Sequence, residues 1–288
     1  MNKPKAPTYF EARKWASFRI QNYSELDMYD VDFLLQKRFG FSTADMLIHY
    51  HDQMPPDRWQ QFQTDLNQLL LGKPVQYIVQ QADFYGMTLT VNQHVLIPRV
   101  ETEELVDWIL SETNDKSQEP LSVLDIGTGS GAIAIALKKN RPDWQLSASD
   151  ISTEALKVAK ENAKNQGTTI NFIVSDVFTK IKSAFDIIVS NPPYIATNEE
   201  AYMDRQVLNY EPKIALFAAD KGLAIYKRLA EGLSSHLKPA GKLFVEIGFR
   251  QESAVEHIFK TQLPKSKVRA RHDITGNQRM IELDKGDK

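Results

Sequence analysis

The chain has 288 residues, a hydrophobic fraction of 42%, a charged fraction of 25% and a formal net charge of −2, an ordinary globular composition with room for two domains. Zero cysteines exclude disulfides, thiolate zinc sites and any transferase that works through a covalent cysteine adduct. The balance stays neutral over residues 1–80, with nine Lys/Arg and nine Asp/Glu, so a backbone-gripping basic face and direct nucleic-acid binding are not expected.

The amino terminus carries Lys3 and Lys5 but no apolar core segment, and no run of the chain approaches membrane-spanning length. A cytoplasmic protein is expected. Residues 1–80 read as a helical bundle. Val31, Leu34 and Leu35 mark a helix ending near Gly40, and Ser42 opens another. Pro55-Pro56-Asp57 leads into Trp59, Phe62, Leu66, Leu69 and Leu70, which Gly72 closes. No chemistry-bearing cluster appears there, so substrate docking is the role expected, against that of a stabilising cap. His49 and His51 lie two apart, on different sides of a helix, and no metal is expected.

Residues 81–99 read as a β-hairpin connector, with a strand pair over 83–97 turning near Asn92-Gln93. Residues 100–288 form the larger domain, opened by a helix carrying Leu105, Val106, Ile109 and Leu110 and a polar loop over 112–120. From Leu121, strands and helices alternate: strands at 121–126, 144–149, 170–174, 185–189 and 242–247, then near Val268 and Met280. Such alternation predicts an α/β fold with a mostly parallel sheet covered on both faces.

The first strand-to-helix turn reads Asp125-Ile126-Gly127-Thr128-Gly129-Ser130-Gly131. Its glycines let the backbone turn sharply and approach a ligand. Gly127, Gly129 and Ala132 also satisfy the loose dinucleotide pattern, so a nicotinamide or flavin enzyme stays in view. Asp125 opposes it, because a carboxylate at the loop mouth suits an ammonium or sulfonium better than a pyrophosphate; capping the helix is its alternative. Asp150 ends the second strand, where an acid accepts ribose hydroxyls. Asp176, with its neighbour Val177, is placed to meet an adenine; solvated strand-end acids are the alternative for both aspartates. Together these residues describe a pocket for S-adenosylmethionine, with S-adenosylhomocysteine as product.

Asn191-Pro192-Pro193-Tyr194 follows the apolar run 185–189. Two prolines stiffen the backbone and remove donors, leaving carbonyls and an Asn amide beside a Tyr ring, which suits holding a planar NH2 group. A proline-rich strand exit with a surface Tyr is the alternative.

The ordered set Asp-x-Gly-x-Gly-x-Gly, Asp, Asp, Asn-Pro-Pro-Tyr resembles the class I methyltransferases that modify planar amino groups. Further segments, Pro74 to Ile78, Phe84-Tyr85-Gly86, Leu96 to Arg99 with Glu101-Thr102-Glu103, Tyr210-Glu211-Pro212 and Glu246-Ile247-Gly248, resemble the PrmC/HemK family across nearly the whole chain. The resemblance implies a Rossmann-like domain with a mostly parallel seven-stranded sheet, joined to a helical amino-terminal domain. It implies methylation of the glutamine in the Gly-Gly-Gln motif of peptide chain release factors. The Asn191 side-chain oxygen and Pro192 carbonyl would accept the amide hydrogens, with Tyr194 packed on the amide plane. Val100, Val177 and Ala218-Ala219 depart from the family's usual residues. Glutamine methylation of a ribosomal protein, base methylation of a nucleic acid and a non-catalytic scaffold are the competing readings.

Overall fold

The structure, a computed structural model, describes residues 6–113 and 120–286. Lys3, Lys5 and residues 114–119 of the expected polar loop lie outside the described residues. The chain divides into two compact units, Met1–Gln81 with Asp204–Tyr210, and Ala82–Met203 with Glu211–Lys288.

The first unit contains α1 (Tyr9–Ile20), α2 (Met28–Phe39), α3 (Thr43–Ile48), α4 (Pro56–Leu70) and α5 (Val75–Val79). Capping boxes start three of them, pairing Thr8 with Glu11, Asp27 with Asp30 and Ser42 with Asp45. Each satisfies amide donors that the first helical turn leaves free. Gly40 ends α2 in the left-handed conformation, with its N–H on Gln36 O. Ala12, Ala16, Leu34, Phe62 and Leu66 are fully buried between the helices, and Asp65 is buried against the Arg38 guanidinium, 2.6 Å from Nε.

The second unit begins with a hairpin, β1 (Gln81–Phe84) and β2 (Met87–Thr90), then α6 (Val100–Glu112). The hairpin turns at Tyr85-Gly86 and not, as expected, near Asn92-Gln93. Both turn residues have positive φ, 50° and 70°, the conformation of a tight two-residue hairpin turn. Val95 and Ile97 are buried in irregular backbone rather than in a strand. Phe84, Met87 and Leu89 of the hairpin enter the core of this unit.

Then follow β3 (Ser122–Ile126), α7 (Ala132–Asn140), β4 (Gln145–Asp150), α8 (Thr153–Asn165), β5 (Asn171–Val174) and β6 (Phe185–Ser190). Between β6 and the next long helix lie short pieces that the sequence pattern does not reveal: β7 (Ile195–Ala196), a 3-10 turn at Thr197–Tyr202, α9 (Arg205–Tyr210), α10 (Lys213–Leu216), β8 (Phe217–Ala218) and the kinked turn α11 (Ala219–Gly222). The chain ends with α12 (Ala224–His236), β9 (Leu237–Glu246), α13 (Glu252–Gln262), β10 (Lys267–His272) and β11 (Gln278–Asp284).

Seven strands form one sheet in the order β10-β11-β9-β6-β3-β4-β5. Pairing is parallel from β9 to β5, and β11 runs antiparallel to both β9 and β10. The central strands of the sheet are buried on both faces. Val123, Val189, Phe244 and Leu146 point into one core cluster with Trp108 and Ile133; Leu124, Ile188, Leu243 and Val245 point into another with Tyr226 and Phe259. The chain passes from β3 outward to β5, then returns to place β6 on the other side of β3. That reversal makes β3/β6 the switch point, where open α/β sheets bind ligands at the carboxyl ends of their strands. Among the described residues no helix is long and apolar enough to cross a membrane.

Phe244 is fully buried, edge-on to Trp108 at 5.6 Å between ring centroids. Phe244→Ala is expected to lower unfolding stability by about 3–5 kcal/mol, read from the urea midpoint.

Candidate active site

The turn after β3 wraps a cavity of about 350 Å³. The N–H groups of Gly127 and Thr128 both donate to Ser149 O, at 2.8 and 3.0 Å, tying the turn to the end of β4. Gly127 and Gly129 take positive φ, and nothing lies within 4 Å of where a Cβ would stand, so this backbone is open to a ligand. Thr128 and Ser130 line the cavity with them. Gly131 does not; it starts α7, with Ile135 and Ala159 close behind it.

The carboxylates fall into place differently from one another. Asp150 lines the cavity, with one oxygen accepting from Gly129 N at 2.9 Å and the other from Ser152 N at 2.8 Å. Burial raises its pKa. Asp125, expected at the loop mouth, is instead fully buried beneath the loop and is not among the cavity's lining residues. Thr128 donates its hydroxyl to Oδ2 at 2.6 Å, while Oδ1 has no hydrogen bond of normal geometry. Burial pushes this carboxyl up to about 7, against the opposing pull of Thr128. Its place is under the loop, fastened to it through the Thr128 hydroxyl.

Asp176 and Val177 both line the cavity after β5. Asp176 is already paired with Arg228 at 2.8 Å, an arginine that lines the cavity too. Val177 holds φ at 48°, a left-handed conformation costly for a β-branched residue. Ser175 fastens that turn by donating to Val177 O at 2.9 Å and accepting from Lys180 N at 3.1 Å.

Across the switch point, Ser190 donates to Ile126 O at 2.7 Å, locking the exit of β6 to the glycine turn. Asn191, Pro192 and Pro193 then line the cavity. Asn191 Nδ2 lies 3.1 Å from Thr102 Oγ1, on α6, and that hydroxyl lies 2.7 Å from Glu246 Oε2, at the end of β9. Thr102 is 5% and Glu246 2% exposed.

Tyr194 corrects an expectation. It does not line the cavity; its ring packs against the core cluster containing Ile188, Tyr226 and Val245, with its hydroxyl 3.4 Å from Glu246 Oε1. Burial raises its pKa. A ring held there braces the segment from behind. The Tyr194 backbone is also gripped: Gln251 Nε2 donates to its carbonyl at 2.8 Å, while Gln251 Oε1 accepts from Gly248 N at 3.0 Å.

Thr102, Glu246, Gln251, Ser175 and Ser190 are site residues that sequence reasoning did not assign. Thr102 and Glu246 sat inside segments of resemblance without a stated role, and the others carry no motif.

These residues fit S-adenosylmethionine. A buried carboxylate with an unpaired oxygen and a half-buried one lie under and beside an open glycine turn, a field that favours a cationic ligand over a pyrophosphate. Asp125 and Asp150 would serve its positive end and ribose, and the Asp176–Val177 turn its base.

Residues 11–79 match the PrmC N-terminal domain, and residues 107–210 match the methyltransferase small domain. A protein from Streptococcus pneumoniae named release factor glutamine methyltransferase is 49% identical over 257 residues, 89% of this chain and 91% of its own length. One of the same name from Enterococcus faecalis is 41% identical over 276 residues, covering 96% of this chain and 98% of its own. Among solved structures, a methyltransferase from Pyrococcus furiosus aligns with TM-score 0.53 at 16% identity, over 77% of this chain and 98% of that one. The hMettl16 catalytic domain, solved with an RNA hairpin, aligns at 0.56 and 16% identity over 71% and 77%. These two share the fold.

Gly222 tests the grip on Tyr194. It has φ +81°, and a Cβ there would stand 2.0 Å from Tyr194 O. Gly222→Ala is expected to lower turnover about a hundredfold through displacement of the reactive segment. Calorimetry should show S-adenosylmethionine affinity within a few-fold of wild type.

Proposed function

The chain belongs to the release factor glutamine methyltransferase family, and from that premise we propose that it methylates the side-chain amide nitrogen, N5, of the glutamine in the Gly-Gly-Gln motif of peptide chain release factors. It is an S-adenosylmethionine-dependent protein methyltransferase that acts on translation termination, and a cytoplasmic location follows from that substrate. The helical first unit is assigned to substrate docking. The observation that carries the reading is the position of Asn191 and Pro192 on the cavity wall, across the switch point from the glycine turn.

An amide nitrogen is a poor nucleophile because its lone pair is shared with its carbonyl. Bound in the cavity, S-adenosylmethionine supplies an electrophilic methyl on a positively charged sulfur. The protein's part is to hold the acceptor. Asn191 Oδ1 and the Pro192 carbonyl take the two amide hydrogens, which orients the nitrogen and stabilises positive charge as it develops there. The prolines remove competing donors from this stretch and keep it stiff. Tyr194 and Gln251 hold its far end. The nitrogen–methyl bond forms as the sulfur–methyl bond breaks, and the methylated amide then loses one N–H proton to water. No side chain must therefore remove a proton before attack, in keeping with a motif that contains neither His nor carboxylate.

Labelled S-adenosylmethionine offered with release factor, ribosomal protein, DNA and RNA in separate reactions tests the assignment. Label should enter release factor at a glutamine; label on nucleic acid alone would overturn it. Asn191→Ala should lower turnover about a hundredfold to a thousandfold with cofactor affinity retained, measured by single-turnover transfer and calorimetry.

Asp125 generates a pH prediction. Its carboxyl is raised to about 7 in the free protein, and a cationic ligand favours the ionised form. S-adenosylmethionine affinity should therefore strengthen as pH rises from about 5.5 and level off above about 7. In Asp125→Asn, calorimetry over this range should give weaker binding and a shallower profile, Asp150 being the remaining carboxyl raised by burial.

A further inference from the structure

The hydroxyl of Thr102 has one proton, and the groups on either side of it decide where that proton goes. On one side is the Glu246 carboxylate, which only accepts when ionised, 2.7 Å away. On the other is the amide end of Asn191, 3.1 Å away. With the proton committed to Glu246, Thr102 Oγ1 offers Asn191 only lone pairs. The end of Asn191 that can face it is therefore the NH2 group. The carbonyl end, Oδ1, is then left for the substrate.

We propose that Glu246 and Thr102 are positioning residues that fix the orientation of the Asn191 amide, so that its oxygen rather than its NH2 meets the acceptor nitrogen. The inference rests on the proposed role of Asn191 as acceptor of a substrate N–H, and it assigns what sets that role. Were the amide turned over, an NH2 would oppose the substrate's NH2, and neither group could accept. A side-chain amide is nearly symmetric in shape, so packing alone distinguishes its ends poorly. A hydrogen-bond chain that ends on a group with no proton to give distinguishes them well.

Glu246 is built to be that terminus. It ends β9, and its surroundings come from four elements. Thr102 and Glu101 lie on α6, Tyr194 follows β6, Tyr226 on α12 donates to the Glu246 main-chain carbonyl at 2.8 Å, and Arg279 lies on β11. Arg279 and the Thr102 bond favour the ionised form, while burial and Glu101 oppose it, and the carboxyl is raised to about 7. Protonation would let Glu246 donate to Thr102, release the hydroxyl proton toward Asn191 and remove the preference. Turnover should therefore fall as pH falls through the neutral range. Measurement at saturating S-adenosylmethionine separates this effect from that of Asp125, which acts on cofactor affinity.

The test uses the full-length protein and its methyl acceptor. Glu246→Gln keeps the shape but can offer Thr102 either a donor or an acceptor, and Thr102→Val keeps the shape but ends the chain. Each should lower kcat about a hundredfold, with S-adenosylmethionine affinity and melting temperature near wild type. Thr102→Ser should restore most of the loss. Combining Glu246→Gln with Thr102→Val should cost little more than either alone, because both break one chain. The acid limb of the kcat profile should vanish in Glu246→Gln. Values of kcat within twofold of wild type in both single variants, a serine variant no better than valine, or an unchanged acid limb would each overturn the proposal. Wild-type transfer to release factor is a separate control: its failure removes the substrate assignment, while the variant-to-wild-type ratios are read on whichever acceptor takes label.

Discussion

Parallel pairing of β3 with β6 brings Ile126 opposite Ser190, and the Ser190 hydroxyl closes on the Ile126 carbonyl at 2.7 Å. Both strands therefore end at the same level. The turn after one and the turn after the other open onto the same space, although 64 positions separate these residues in the chain. Everything chemical follows from that register. A shift of one residue would turn the side chains of β6 to the opposite faces of the sheet and rotate Asn191 away from the glycine turn. The two-sided core enforces the register, since Val189 and Ile188 must enter separate clusters.

The two halves of the site use different physics. In the proposed function, the half after β3, β4 and β5 is a field: carboxylates withdrawn from water to different degrees, open backbone and a strained Val177 turn, facing a cationic ligand. The half after β6 is a grip. Its acceptors lie on a stiff segment fastened behind by Gln251, by the Tyr194 ring and by the approach of Gly222 to within the space a Cβ would need. Methyl transfer to an amide needs the two together, because the nitrogen's weak nucleophilicity leaves orientation as the chief lever available to a protein.

Much of this was legible in the sequence because the signals were local. The alternation from Leu121, the glycine turn, Asp150 and the Asn191 tetrapeptide each announce themselves within a few residues. The hairpin turn was misplaced because Asn92-Gln93 looks like turn chemistry, whereas Tyr85 adopts positive φ that its side chain does not advertise. Asp125 reads as facing the ligand because sequence order does not distinguish the mouth of a loop from the space beneath it. The direction of the Tyr194 ring is hidden for a similar reason, since only packing on the sheet sets it against Ile188, Tyr226 and Val245. Thr102 and Glu246 were unreadable as a pair, being 144 positions apart and brought together by folding alone.

Gln251 carries a consequence of its own. An enzyme for glutamine side chains keeps one of its own glutamines against the main chain of its reactive segment. That amide has its oxygen on Gly248 N and its nitrogen shared between the carbonyls of Tyr194 and Lys221. Its hydrogens are spent on main-chain carbonyls, and its plane is held by the bonds it makes. One planar side chain thus ties three stretches of chain together, so the segment after β6, the turn at Lys221 and the start of α13 cannot shift independently of one another.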